Sequence, residues 1–148
     1  MASAAHTRDG GAFGSCDTNF NPQAVGATAT ADGGAIDLRN VDLRNGTFLA
    51  AVLHAGAESG SPTGVSSTLI VETSPVSNFA SGVETLADVT GSTDGLEVTA
   101  ENTQSGQGRW DLTRAERYIR FSVTNALTGG SAPTLIVGVS AFVGTGEL

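Results

Sequence analysis

Arg117-Tyr118-Ile119-Arg120-Phe121-Ser122-Val123-Thr124 alternates without a break, with Ile119, Phe121 and Val123 on one side and Arg120, Ser122 and Thr124 on the other. Successive residues of a strand point to opposite faces, so this period of two predicts a strand with one buried and one wet face. Short runs of the same kind recur from Val25 onward, each bounded by Gly, Asn, Asp, Ser or Pro. Val25, Ala27 and Ala29 share a face, with Thr28 and Thr30 on the other. Asp32-Gly33-Gly34 then turns the chain into Ala35 to Arg39, where Ile36 and Leu38 point inward. Further strands are expected at Ser67–Thr73, Val83–Val89, Gly95–Glu101 and Arg109–Leu112.

Two runs are apolar on both faces: Phe48 to Leu53, and Pro133 to Val143, which ends at a Gly144-Thr145-Gly146 tail. Such runs are central strands, or strands whose second face meets another protein. Asp37-Leu38-Arg39-Asn40 is followed at once by Asp42-Leu43-Arg44-Asn45, and the five-residue offset puts the copies on opposite faces unless a bulge intervenes. Asn45-Gly46 is a strong turn signal, and the Asn45-Gly46-Thr47 glycosylation sequon is read as that turn. Gly56 to Gly64 and Ala126 to Pro133 are loops. Helical periodicity is confined to a single turn around Leu112 to Glu116.

Eight or nine strands with little helix predict an all-β fold: an antiparallel β-sandwich of jelly-roll type. Residues 1–24 show no sustained periodicity and read as an extended N-terminal arm, so the domains are an arm at 1–24 and a sandwich at 25–148. The 148 residues are enough for one core, which at this size removes roughly 70% of the unfolded chain's surface from water.

Charge narrows the function classes. The net charge is −8, and the seven basic residues are all arginine. Phosphate recognition needs clustered positive charge, so no nucleic-acid partner is expected. Met1 to Arg8 lacks the apolar core of a secretory signal, and no run is long enough to cross a bilayer. The expectation is a soluble, cytoplasmically made protein with no membrane partner. Charged residues are only 15% of the chain, against roughly 25% in typical soluble domains. Ser, Thr, Gly, Ala and Asn must therefore make up much of the surface, which suits close apposition to neighbours.

The sequence carries no recognisable catalytic motif. His6 and His54 lie far apart, without metal-ligand spacing, and Cys16 is the single cysteine, so neither a disulfide nor a Cys-based zinc site can form within the chain. The carboxylate pairs Asp37 with Asp42, Glu97 with Glu101, and Asp111 with Glu116 read as solvated strand and turn charges. Neither Asp32-Gly33-Gly34 nor Asp88 to Asp94 carries the ladder of a calcium loop. Gly91-Ser92-Thr93-Asp94-Gly95 has threonine where a nucleophile elbow needs serine, and no phosphate-binding glycine loop is present. No enzyme activity, metal or cofactor is expected.

The most informative stretch runs from Arg109 to Phe121, with the only tryptophan, the only tyrosine and four of the seven arginines. Arginine and aromatic residues are enriched where protein surfaces meet. One reading puts Trp110 and Phe121 in the core, with the arginines paired locally to Asp111 and Glu116. The other makes Arg109, Trp110, Arg114 and Arg117 an interface, and these four are the candidate site residues.

The segment from Phe79 to Val89, the tryptophan strand, the short turn, Arg117-Tyr118-Ile119-Arg120-Phe121, the Gly130-Ser131-Ala132-Pro133 loop and the final Val-rich strand together resemble small head-associated proteins of tailed double-stranded DNA bacteriophages. The resemblance covers roughly the C-terminal half. It implies a capsid decoration or cement protein on the outer surface of the virion, bound to the major capsid protein and to itself as a homotrimer. The same pattern is similar to galactose-binding-like jelly rolls, which implies a carbohydrate-binding module as the alternative, and tail or fibre modules share the style.

Overall fold

The computed structural model describes residues 20–40 and 47–145. The arm up to residue 19 with His6 and Cys16, the second Asp-Leu-Arg-Asn copy, the Asn45-Gly46 turn and the tail from Gly146 lie outside the described residues.

Two antiparallel sheets pack face to face. Sheet A runs β1 (Gln23–Gly26), β11 (Thr134–Thr145), β4 (Thr47–Ser59), with β8 (Thr103–Gln104) and β9 (Gly108–Asp111) sharing the far edge of β4. Sheet B runs β2 (Thr30–Asp32) and β3 (Ile36–Asp37) on one edge of β10 (Tyr118–Asn125), then β5 (Ser67–Ser74), then β6 (Glu84–Thr85) and β7 (Leu96–Val98). The pairings are nested: β5 with β6 and β7, β4 with β8 and β9, β10 with β2 and β3, and β1 with β11. A long hairpin rolled so that alternate segments fall in opposite sheets gives this order, which is the jelly roll. The fold is thus the all-β sandwich that the sequence predicts.

The inward faces follow the period-two pattern. Ile119, Phe121 and Val123 of β10 are fully buried, as are Leu69 and Val71 of β5. They meet Leu49, Leu53, Leu135, Val137 and Trp110 of sheet A in one core. Trp110 packs over Gly108, where an added Cβ would come within 2.6 Å of the indole. That position requires the bare backbone.

Three boundaries differ from expectation. Phe20 is 1% exposed in the core and Gln23 already pairs with Val137, so the sandwich takes in residues 20–24, which the sequence assigned to the arm. Val25, Ala27 and Ala29 do not share a strand. The chain turns at Gly26–Ala29, where the Ala29 N–H donates to the Gly26 carbonyl at 3.3 Å, and crosses from sheet A to sheet B. The segment 83–89 yields only the two-residue β6, anchored by buried Leu86.

The crossing is fastened by Asn125, 1% exposed at the end of β10. Its side-chain amide donates to the Val25 carbonyl of sheet A at 3.0 Å, and its backbone N–H donates to Ala29 at 3.0 Å. Replacing Asn125 with Ala removes the donor to the Val25 carbonyl, a loss of about 1–3 kcal/mol that is partly offset because the amide Oδ1 is itself buried without a partner. Asn125→Ala should therefore lower the unfolding free energy by about 1 kcal/mol in urea titration, and no measurable loss would remove this fastening role.

Candidate functional site

The arginine stretch is built at the junction of the two sheets. β9 lies in sheet A, and the 3₁₀ turn Leu112–Arg114 carries the chain across to β10 in sheet B. Asp111 caps that turn, its carboxylate accepting from the Thr113 N–H at 3.0 Å and the Thr113 hydroxyl at 2.6 Å. Leu112, buried beneath it, holds the turn against the core.

The four candidate residues do not converge. Trp110 is 2% exposed among core residues, so it belongs to the core reading and presents no surface to a partner or to a sugar ring. The reason is register: Trp110 pairs with Leu49, and cross-strand partners share a face, here the inner one. Arg109 pairs with Ala50 and projects from the opposite, outer face of sheet A, its guanidinium 4.0 Å above the Phe48 ring. Arg114 is exposed and ion-paired to Asp111 at 3.6 Å. Arg117 lies at the edge of sheet B, bonded to Asp37 at 2.9 Å and set over the Tyr118 ring at 4.6 Å.

Arg120, not among the four candidates, is held by two carboxylates and a ring. It bonds Glu72 at 2.6 Å and Asp32 at 3.1 Å, and covers the Phe79 ring at 4.5 Å. Phe79 holds a positive φ of 52°, an uncommon conformation for a bulky residue. The alternation placed Arg120 on the wet face, but no local signal announces partners 48 and 88 residues away.

The outer faces of the two sheets differ in chemistry. Sheet B presents Asp32, Asp37, Glu72 and Glu97 with Arg117 and Arg120, the charges tied to one another or to hydroxyls such as Ser66, which bonds Glu97 at 2.8 Å. The outer side of sheet A carries Phe48, Ala50, Val52, His54 and Gly56 from β4, and Ile136, Gly138, Ser140 and Phe142 from β11, with Phe48, Ala50 and Gly138 themselves buried. These two central strands bring no carboxylate to that side, while the β9 edge adds Arg109 and Asp111, the register partners of Ala50 and Phe48. The Phe48 and Phe142 rings meet edge to face at 6.1 Å, a favourable arrangement of ring quadrupoles.

Among the described residues, no three His, Cys, Asp or Glu side chains come together in a group able to hold a metal ion. Of the sequence-adjacent carboxylates, Glu97 turns to Ser66 while Glu101 accepts from the Glu58 N–H at 3.2 Å. No described helix is long and apolar enough to cross a membrane. Compared with protein-family models and with curated proteins, the chain matches none.

One carboxylate is shifted. The Thr90 hydroxyl at 2.6 Å, with the backbone N–H groups of Ser92, Thr90 and Gly91, holds the Asp88 carboxyl below its ordinary value and outweighs the opposing effect of burial. This loop is tied to the arginine strand, because the Val89 N–H donates to the Arg109 carbonyl at 2.9 Å. A depressed folded-state value means that the ionised form favours folding: the contribution is present above the unfolded value near 4 and is lost as pH falls through the lower folded value. Asp88→Asn should therefore be less stable than the parent at pH 7, with a gap in thermal midpoint that narrows below about pH 4. A gap constant from pH 2 to 7 would remove the charge from the account.

Proposed function

We propose that the chain is a structural virion protein that decorates the outer surface of a bacteriophage capsid and cements neighbouring major capsid subunits as a homotrimer. The observation that carries this reading is the division of chemistry between the two outer faces of one jelly roll. A protein that clamps others in place needs one face that sheds water against protein and another that stays hydrated. Sheet A supplies the first and sheet B the second. Jelly rolls recur in viral capsid domains, and this fold-level analogy agrees with the resemblance of the C-terminal half to phage head proteins. Arg114 is exposed beside Asp111, and since arginine is among the residues that dominate interface energies, its exposure supports the reading.

The carbohydrate alternative is less well supported, since the tryptophan it would use for stacking lies in the core. Purified protein mixed with undecorated heads of the encoding phage should co-sediment saturably and raise the thermal midpoint of the heads. Heads that neither bind it nor gain stability would contradict the proposal.

A further inference from the structure

We infer that Asp94 is a modification site, where the carboxyl group closes on the Gly95 nitrogen and the ring reopens as an isoaspartyl link directly ahead of β7. Asp-Gly steps are open to this chemistry because glycine has no side chain to shield its nitrogen. Two of them lie within the described residues, Asp32-Gly33 and Asp94-Gly95, and the fold treats them in opposite ways. At Asp32 both reacting groups are engaged. One carboxylate oxygen accepts from the Ser122 hydroxyl at 2.7 Å, the other pairs with Arg120 at 3.1 Å, and the Gly33 N–H donates to the Phe121 carbonyl at 2.8 Å. Closure there requires β2 to lift from β10.

At Asp94 neither group is held. Both residues are exposed, and among the described residues no group bonds the Asp94 carboxylate or accepts from the Gly95 N–H. The chain is nevertheless fixed on either side. The Asp94 N–H donates to the Ser92 hydroxyl at 3.1 Å, the Ser92 N–H donates to Asp88 at 3.0 Å, and Leu96 pairs with Leu69 of β5. Gly95 itself has a φ of +83°, and an added Cβ would collide with the Leu69 carbonyl oxygen, so the glycine that exposes Asp94 is required by the backbone.

The Gly95 nitrogen attacks Cγ of the protonated carboxyl group, the N–Cγ bond forms, and the N–H proton departs with the carboxyl hydroxyl as water. Water then opens the five-membered ring. Addition at Cγ restores aspartate, whereas addition at the main-chain carbonyl breaks its bond to nitrogen and leaves the chain running through Cβ and Cγ. One extra backbone atom then separates Asp94 from Gly95, which moves Gly95 off its seat on Leu69 and loosens the pairing of β7 with β5.

This inference is independent of the assembly reading. The full chain is aged for weeks at neutral pH and digested, and its peptides are sequenced by electron-transfer fragmentation, which distinguishes the isoaspartyl link at unchanged mass. Isoaspartate should accumulate at Asp94 at least about tenfold faster than at Asp32, because the hydrogen bonds around Asp32 must open first. In urea the two rates should converge. Asp94→Glu, which would need a larger ring, should suppress the product at that position. In the modified fraction of the parent the β7 amides should exchange at least about tenfold faster than in fresh protein. Isoaspartate absent from position 94, or forming at Asp32 as fast as at Asp94 in the native protein, would overturn the inference. A difference that persisted in urea would assign it to local sequence and overturn the role of the fold, and unchanged β7 exchange in modified molecules would overturn the structural consequence.

Discussion

The pairing of β4 with β11 is the constraint on which the rest of the molecule depends. These two strands, 13 and 12 residues long, run antiparallel from Thr47 opposite Thr145 to Ser59 opposite Thr134. They are separated by almost the whole of the intervening chain, so closing them forces everything between into nested hairpins. Because sheet A contains this pair at its centre, β1 is left only the free edge of β11, and β8 and β9 only the free edge of β4. The second sheet repeats the logic with β5 and β10, eight residues each and paired from Ser67 opposite Asn125 to Ser74 opposite Tyr118. Such non-local pairing is slow to form, since the entropy of loop closure is lost before the contacts are gained.

The same two strands explain why the outer faces differ. β4 and β11 are apolar on both sides, and only one side of each is needed for the core. Leu49, Leu53, Val137 and Val139 fill that side. The other side is partly sealed within the chain, where Arg109 and Phe142 lie over Phe48, and is left open toward Ile136. β5 and β10 instead alternate apolar with polar residues, and their outer side is closed by the Arg120 cluster with Glu72 and Asp32. A sheet with satisfied outward charges has little to gain from a partner, whereas one with outward apolar surface gains wherever water is excluded. The proposed assembly role follows from this difference rather than from any single residue.

Much of this architecture is written in local pattern. The clean alternation of Arg117 to Thr124 gives the inward set of β10, and the two-faced runs at Phe48 and Pro133 give the two long central strands. The pattern fails where structure depends on distant contacts. Gln23 and Ala24 have no periodic signal of their own and become strand only because β11 offers an open edge. Phe20 has a non-local reason for burial, as it fills the core from outside the regular elements. The run at 83–89 is apolar enough to suggest a strand but pairs with β5 for only two residues before the Asp88 turn diverts it. Among the candidate site residues, arginine and aromatic enrichment singled out a stretch that crosses from one sheet to the other, but could not say which side of β9 faced inward. One residue of register separates Trp110 in the core from Arg109 outside.

Hydrogen exchange resolved by peptide, followed by mass spectrometry on the native protein, tests the central claim that the β4–β11 pair holds the fold together. Its amides should exchange only through global unfolding, together with those of β5 and β10, while the two-residue β6 and β8 exchange at least about a hundredfold faster through local opening. If β11 exchanged as fast as β6 while β10 stayed protected, sheet A would be an appendage of sheet B rather than the frame of the molecule, and the account would fail.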